Sequence, residues 1–260
     1  MWTLICHIQY GTSKNKLILI SKSQLKLITS LSKKKYRDQH GFFIAEGPKV
    51  IAEFIAEGLE MQLHFTSEIV KNETSVYHQI TPQELKKISN LTNPNTSLAV
   101  FKFPKQKANE NKGICLVLDG IQDPGNLGTI IRLCDWFGVS QLVCSTDTVD
   151  CFNPKVVQAT MGSLARLSIQ YGDIEQKLST TMLPIYGGVL EGSSVYSEKI
   201  EEDCYLVVGN EGNGISEKII GLLTHKITIP QYGASQKTES LNVATAAAIL
   251  LSEAMRPTGK

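Results

Sequence analysis

The sequence predicts an α/β protein of two units. A mostly parallel sheet, covered on both faces, fills the C-terminal unit, and a smaller α/β unit precedes it. Three observations predict this. After residue 113, short continuous apolar runs such as Ile114–Leu118 and Tyr205–Val208 alternate with helical patterns, as buried parallel strands do. A polar, aperiodic stretch, Phe103 to Lys112, reads as a break between the units, with 104–112 as the linker. Charge also changes sign there: Ser21 to Lys112 holds 14 Lys and Arg against 9 Asp and Glu, and Gly113 to Lys260 holds 10 against 16. A basic front on a mildly acidic back points to a polyanionic partner for the front.

The elements follow in order. Residues 1–20 read as an extension outside the folded units, and Lys14 and Lys16 interrupt apolar runs too short for a signal peptide. Ser23–Leu31 reads as a helix, and the basic cluster Lys33, Lys34, Lys35 and Arg37 follows, with Tyr36 inside it. Phe42–Ala45 reads as a strand. Gly47-Pro48 opens a helix to about Gly58, with Val50, Ile51, Phe54 and Ile55 on one face. Short αβ units complete this front domain, residues 21–103, a compact unit of common domain size. In the second unit, residues 113–260, Asn126–Phe137 is a helix ended by Gly138. Asn153 caps a helix that Pro154 starts and that runs to about Leu164. Gln141–Cys144, Pro184–Val189, Tyr205–Val208 and Lys226–Ile229 are strands. Leu241 to about Met255 is the last helix.

Composition narrows the classes. At 42% hydrophobic and 20% charged, the chain is that of a soluble globular protein, and no apolar run reaches transmembrane length. Its 6 cysteines form no Cys-x-x-Cys pair and its 5 histidines share no metal spacing, so no metal and no membrane are expected. Cys115, Cys144 and Cys204 sit in strand-like runs as buried thiols, which fits a reducing, cytoplasmic setting.

Ligands of open α/β sheets sit off the carboxyl ends of the strands. Three strand ends carry polar segments: Asp119 to Arg132, Gly209-Asn210-Glu211-Gly212-Asn213-Gly214, and Ile229-Pro230 leading to Ser240-Leu241-Asn242. Ser240 and Asn242 stand at the mouth of a helix of small apolar residues. Polar groups there need partners if buried, so the segment reads as a ligand wall. Asn126 sits at the mouth of its helix and Arg132 projects from the second turn, wanting an anion or solvent. Gly, Asn, Asp and Pro after a strand are also ordinary turn residues. The order Gly209-x-x-Gly212-x-Gly214 reverses the dinucleotide pattern, and no phosphate-loop pattern occurs. These glycines read as sites of close approach between backbone and ligand.

The three segments together resemble the motifs of the SpoU/TrmH-type RNA 2′-O-ribose methyltransferases of the SPOUT class. Asn126…Arg132 resembles the first motif, Gly209-Asn210-Glu211-Gly212 the second, and Ile229-Pro230…Ser240-Leu241-Asn242-Val243 the third. Asn153-Pro154-Lys155-Val156-Val157 with Gly162-Ser163 resembles a stretch between the first two. Lys35-Tyr36-Arg37 with Phe42–Pro48 resembles the family's ribosomal-protein-like RNA-binding domain.

The resemblance implies a C-terminal trefoil knot and a homodimer with composite sites. It implies S-adenosylmethionine held around Val208, Gly209, Asn210, Gly212, Ile229, Pro230, Ser240 and Leu241. It implies transfer to a ribose 2′-hydroxyl, with Arg132 clamping phosphate and lowering the hydroxyl's pKa. A guanidinium stays protonated, so a clamp is expected rather than a base. Asn126 and Asn242 would orient the ribose and Arg132, Glu211 would hold Arg132 or the nucleotide, and Ser240 would bond near the reacting hydroxyl. Lys33, Lys34, Lys35 and Arg37 would grip RNA phosphates. The two-domain layout favours ribosomal over transfer RNA. The 234–239 stretch is longer than the family's usual linker. Two other readings compete: a dehydrogenase, which lacks its ordered glycine pattern here, and a non-catalytic RNA-binding or ribosome-assembly protein of the same fold, which would not need Asn126, Arg132, Glu211 and Asn242 together.

Overall fold

The structure, a computed structural model, describes residues 20–68, 77–105, 112–233 and 238–256. Almost all of the expected N-terminal extension, most of the expected linker and residues 234–237 of the 234–239 stretch lie outside these residues.

The front half begins with helix α1 (Lys22–Ser30), started by a reciprocal capping box between Ser21 and Gln24, and α2 (Lys34–His40). Strand β1 (Phe42–Glu46), helix α3 (Pro48–Ala56), β2 (Met61–Thr66), β3 (His78–Gln79), α4 (Pro82–Ile88) and β4 (Ser97–Lys102) follow. They form a four-stranded sheet in the order β1-β4-β2-β3. β4 runs antiparallel to both β1 and β2.

The back half comprises β5 (Ile114–Asp119), α5 (Pro124–Phe137), β6 (Gln141–Ser145), α6 (Pro154–Thr160), β7 (Ile169–Gly172), α7 (Ile174–Ser179), β8 (Ile185–Ser194), β9 (Cys204–Gly209), α8 (Glu217–Ile220), β10 (His225–Thr228) and α9 (Val243–Met255). Its sheet has six strands in the order β10-β8-β9-β5-β6-β7, every pair parallel. β6 and β9 are buried along their whole length, as sequences apolar on both faces require.

Most expected boundaries hold within a residue or two, and the departures have local causes. α5 starts at Pro124 because Asp123 caps it, so Asn126 lies inside the first turn. Gly138 does end α5, in the left-handed conformation at φ 67°. Asn153 and Pro154 cap and start α6 as expected, but α6 stops at Thr160, where Met161 turns left-handed at φ 51°; a short 3₁₀ turn, Ser163–Ala165, follows. Edge strand β7 was not expected, for Ile169–Gly172 is only half-buried and carries no apolar run. β8 extends past Val189 through a shift in its register with β10, which pairs Lys226 with Gly187 and then Ile227 with Ser193.

The two halves share one core. Phe43, Phe54 and Phe101 of the front join Ile131, Cys134 and Leu164 of the back in a single buried cluster. Phe103 and Phe152 stack with centroids 4.2 Å apart.

Candidate active site

The carboxyl ends of β5 and β9 lie side by side, with Asp119 opposite Gly209. The first two polar segments therefore emerge together. Gly209 is required there by the chain itself: a Cβ on it would lie 2.1 Å from backbone atoms of Gly214 and Ile215. What the missing side chain admits at this position is the loop itself. That loop closes through paired backbone bonds between Asn210 and Gly214, at 2.9 and 3.0 Å. The Asn210 side chain is consumed in building it. Its Oδ1 accepts from the amides of Gly212 and Asn213, and its Nδ2 donates to the Gly120 carbonyl at 2.6 Å.

One hydrogen-bonded chain then joins all three segments. Asn242 Nδ2 donates to Asn126 Oδ1 at 2.9 Å, and Asn126 Nδ2 donates to Glu211 Oε1 at 3.0 Å. Glu211 also accepts the backbone amides of Asp123 and Gln122, each at 3.2 Å. Asn242 is itself the N-cap of α9, its Oδ1 accepting from Ala244 and Thr245. Both amides are thus oriented: each presents its NH₂ to the next acceptor, ending on a carboxylate. Burial pushes the Glu211 carboxyl up, but the bonds from Asn126 and the amides of Glu211 itself, Gln122 and Asp123 outweigh it and leave the group below its usual value. It stands at the mouth as an anion.

Asn242 and Ser240 are exposed, which corrects the reading that burial makes them seek partners. Ser240 makes no hydrogen bond among the described residues. Leu241 between them is also exposed, whereas Val208 is buried in β9, and Ile229 and Pro230 are half-buried just beyond β10.

Arg132 does not join this chain. It projects from the exposed face of α5, together with Thr129 and Trp136, and has no hydrogen-bonding or ionic partner among the described residues. Glu211 therefore holds Asn126 and the start of α5 rather than Arg132.

In the basic cluster, Lys33, Lys34 and Lys35 are exposed, with Lys34 paired to Asp38 at 2.8 Å. Arg37 is not available to phosphate. It is 2% exposed and donates to Asp150 through Nε at 3.0 Å and Nη2 at 2.6 Å, and to the carbonyls of Leu31 and Ser32 through Nη1. Its place is at the junction of the two halves. A charge in the middle of a basic run looks the same in sequence whether it meets solvent or a partner 113 residues away.

Several supporting groups went unread. Asp119 accepts the Ser216 amide at 2.8 Å, tying the end of β5 to the far side of the second loop. Ser145 Oγ accepts the Gly120 amide and donates to Asp147, and the Gln122 side chain donates to the Asp147 carbonyl at 2.6 Å. The only sequence signal was an acidic residue closing an otherwise apolar strand, Ile114–Asp119. Among the described residues, no three His, Cys, Asp or Glu side chains gather as a metal site, and no helix is long and apolar enough to cross a membrane.

A parallel sheet whose strand-end loops converge on one polar cluster defines a ligand-binding α/β enzyme architecture. Comparison with known proteins makes this specific. The model of the SpoU rRNA Methylase family matches residues 113–252, and that of the MRM3-like substrate binding domain matches residues 22–99. The chain belongs to the SpoU rRNA methylase family. It is 28% identical over 235 residues to the 23S rRNA (guanosine(2553)-2′-O)-methyltransferase RlmP of Bacillus subtilis, covering 85% of this chain and 91% of that protein. A putative TrmH-family RNA methyltransferase from Porphyromonas gingivalis superposes with a TM-score of 0.82 at 36% identity, covering 92% of this chain and 100% of the other. An AdoMet-bound rRNA methyltransferase from Sinorhizobium meliloti does so with a TM-score of 0.81 at 26% identity, covering 95% and 99%.

Proposed function

We propose that the protein transfers a methyl group from S-adenosylmethionine to a ribose 2′-hydroxyl of ribosomal RNA. The observation that carries this is the Asn242–Asn126–Glu211 chain, which draws the three motif segments of a SpoU family member into one oriented cluster. The residues present fit the cofactor. Their donor set is amides, backbone and one carboxylate, which suits a cationic sulfonium, and exposed Leu241 beside half-buried Ile229 and Pro230 offers an apolar wall. Val208, Gly209, Asn210, Gly212, Ile229, Pro230, Ser240 and Leu241 would hold it, Asn210 and Gly212 by shaping their loop. When bound, S-adenosylmethionine supplies an activated methyl on a good leaving group.

What remains for the protein is to align and acidify a weak nucleophile. Arg132 clamps the adjacent phosphate through bidentate donors and favours the ionised hydroxyl. Asn126 and Asn242 orient the ribose, and Ser240 bonds near the reacting hydroxyl. Arg132 lies apart from its own Asn–Glu chain, and Trp136 on the same face is 84% exposed. Both features favour a homodimer in which one protomer delivers Arg132 to the other's site. Family membership favours the trefoil knot. Unpaired buried cysteines suit a cytoplasmic protein. Lys33, Lys34 and Lys35 contact RNA phosphates.

The test is transfer of labelled methyl from S-adenosylmethionine to unmodified ribosomal RNA and, separately, to transfer RNA, with nucleosides identified by mass. A 2′-O-methylnucleoside from ribosomal RNA is expected. Labelling of transfer RNA alone would move the substrate. Intact cofactor binding with no transfer to either pool would favour a non-catalytic RNA-binding protein.

A further inference from the structure

A second site lies between the two halves. A cavity of about 490 Å³ opens between α2 and the chain after β4 on one side and the β6–α6 loop and β7 on the other. That volume lies within the roughly 300–1,000 Å³ of small-molecule pockets. Its wall includes the stacked rings of Phe103 and Phe152, flat aromatic surface of the kind on which bases stack. Ser168 also lines it, and the Ser168 hydroxyl is buried without a hydrogen-bond partner among the described residues. A hydroxyl left so is costly; its oxygen has less than 1 Å² of accessible surface, so a polar ligand edge would satisfy it once the side chain turns toward the cavity.

Charge selects among ligands. The cavity's inner carboxylate, Asp150, is already paired with Arg37. Exposed Lys34 and Lys105 stand on its lining toward solvent beside Asp38, which pairs with Lys34, so the rim keeps an excess of one positive charge. A neutral, aromatic interior with a basic rim matches a nucleobase inside and its phosphates outside.

The cavity is also connected to the candidate active site. Thr148 and Asp150 line it, while in the same loop Val149 donates to the Ile121 carbonyl at 2.8 Å and Asp147 receives Gln122. Gln122 in turn donates its amide to Glu211.

We propose that this cavity receives an unstacked base of the RNA, from a nucleotide other than the one methylated. The proposal rests on the reading that the chain acts on RNA. Holding a flipped neighbour there would register the strand against both halves at once and add sequence selectivity through the Ser168 hydroxyl.

The test uses the full chain and unmodified ribosomal RNA transcribed with 4-thiouridine in one pool and 6-thioguanosine in another. The complexes are irradiated and digested, and the crosslinked peptides are sequenced by mass. Crosslinks to peptides holding Phe103, Phe152 or Tyr171 are expected; crosslinks confined to peptides away from the cavity would overturn the proposal. Ser168→Leu provides a second readout, since it removes the hydroxyl, adds bulk at the cavity wall and leaves the Ser168 carbonyl bonded to the Leu142 amide. RNA affinity is expected to fall at least about tenfold, the scale of one lost base stack, with S-adenosylmethionine binding unchanged. Unchanged RNA affinity would sink the cavity alone. Cavity crosslinks without methyl transfer would sink the methyltransferase reading and leave the cavity standing.

Discussion

Asn242 donates its side-chain N–H to Asn126 across 116 residues of chain, at 2.9 Å. The same Asn242 caps α9 through its oxygen. One side chain therefore both starts a helix and joins the third segment to the first. Asn242→Ala is expected to cost about 1 kcal/mol, the scale of a lost cap, and to reduce methyl transfer more than that loss explains. Asn242→Ser keeps a capping oxygen and should restore most of the stability but not the transfer. Denaturant unfolding beside single-turnover transfer checks both. A serine variant that recovers full activity would show that Asn242 acts only as a cap.

Asn126→Asp is expected to be worse than Asn126→Ala. Alanine only removes the bridge, whereas aspartate sets a second anion where Glu211 now receives a donor at 3.0 Å. Two adjacent carboxylates cannot both stay ionised at ordinary cost. The transfer rate of Asn126→Asp should recover partly as pH falls and one of the pair takes up a proton, a response that Asn126→Ala should lack.

Arg132→Ala should abolish transfer and leave the fold alone. Its side chain is exposed and unpartnered among the described residues, so the change in unfolding free energy should stay within about 0.5 kcal/mol. Cofactor affinity should be unchanged. Arg132→Lys should rescue little, because an ammonium cannot offer a bidentate fork. Equal loss of cofactor affinity and transfer would make its role structural.

Arg37 behaves in the opposite way. Arg37→Met strands Asp150, itself largely buried, and is expected to destabilise the protein by about 3–5 kcal/mol. Affinity for RNA, measured below the unfolding transition, should change less than in Lys33→Ala. The contrast tests whether this arginine fastens the two halves together rather than touching phosphate.

These two arginines also show how far the sequence could be read. Alternating apolar runs announce the parallel sheet, and Asn153-Pro154 announces the start of α6, because such signals are local. Asn126, Glu211 and Asn242 were recognisable through the resemblance of their segments to the family's motifs. Their bonds to one another were not, since each crosses many tens of residues. Arg37 was misplaced for the same reason: its partner, Asp150, belongs to the other half of the chain. Edge strand β7 was missed because a strand covered on one side only carries half the apolar signal.

Burial should make the cysteines inert. It pushes the thiols of Cys115 and Cys204 up to about 12, and those of Cys134, Cys144 and Cys151 higher still. Alkylation at mildly alkaline pH should leave these five unmodified in the folded protein and label all of them in denaturant. Rapid native labelling of Cys115 would show that the sheet opens locally.

Glu211 gives the site a directional response to pH. Its carboxyl is held below the ordinary value of 4.5, so the folded chain binds that proton less readily than the unfolded chain. The stability it contributes is fully present above about 4.5 and is lost as pH falls through the lowered folded value. Glu211→Gln keeps the shape and one acceptor but removes the charge. Wild type should exceed the variant in unfolding midpoint by a constant margin from pH about 6 to 8, and the margin should shrink as the solution is acidified below about pH 4.5. Transfer at neutral pH should fall with the charge, because Asn126 and the start of α5 lose their anionic anchor. A margin that widens on acidification would mean that Glu211 is protonated in the folded protein, and the oriented chain from Asn242 would then have to run the other way.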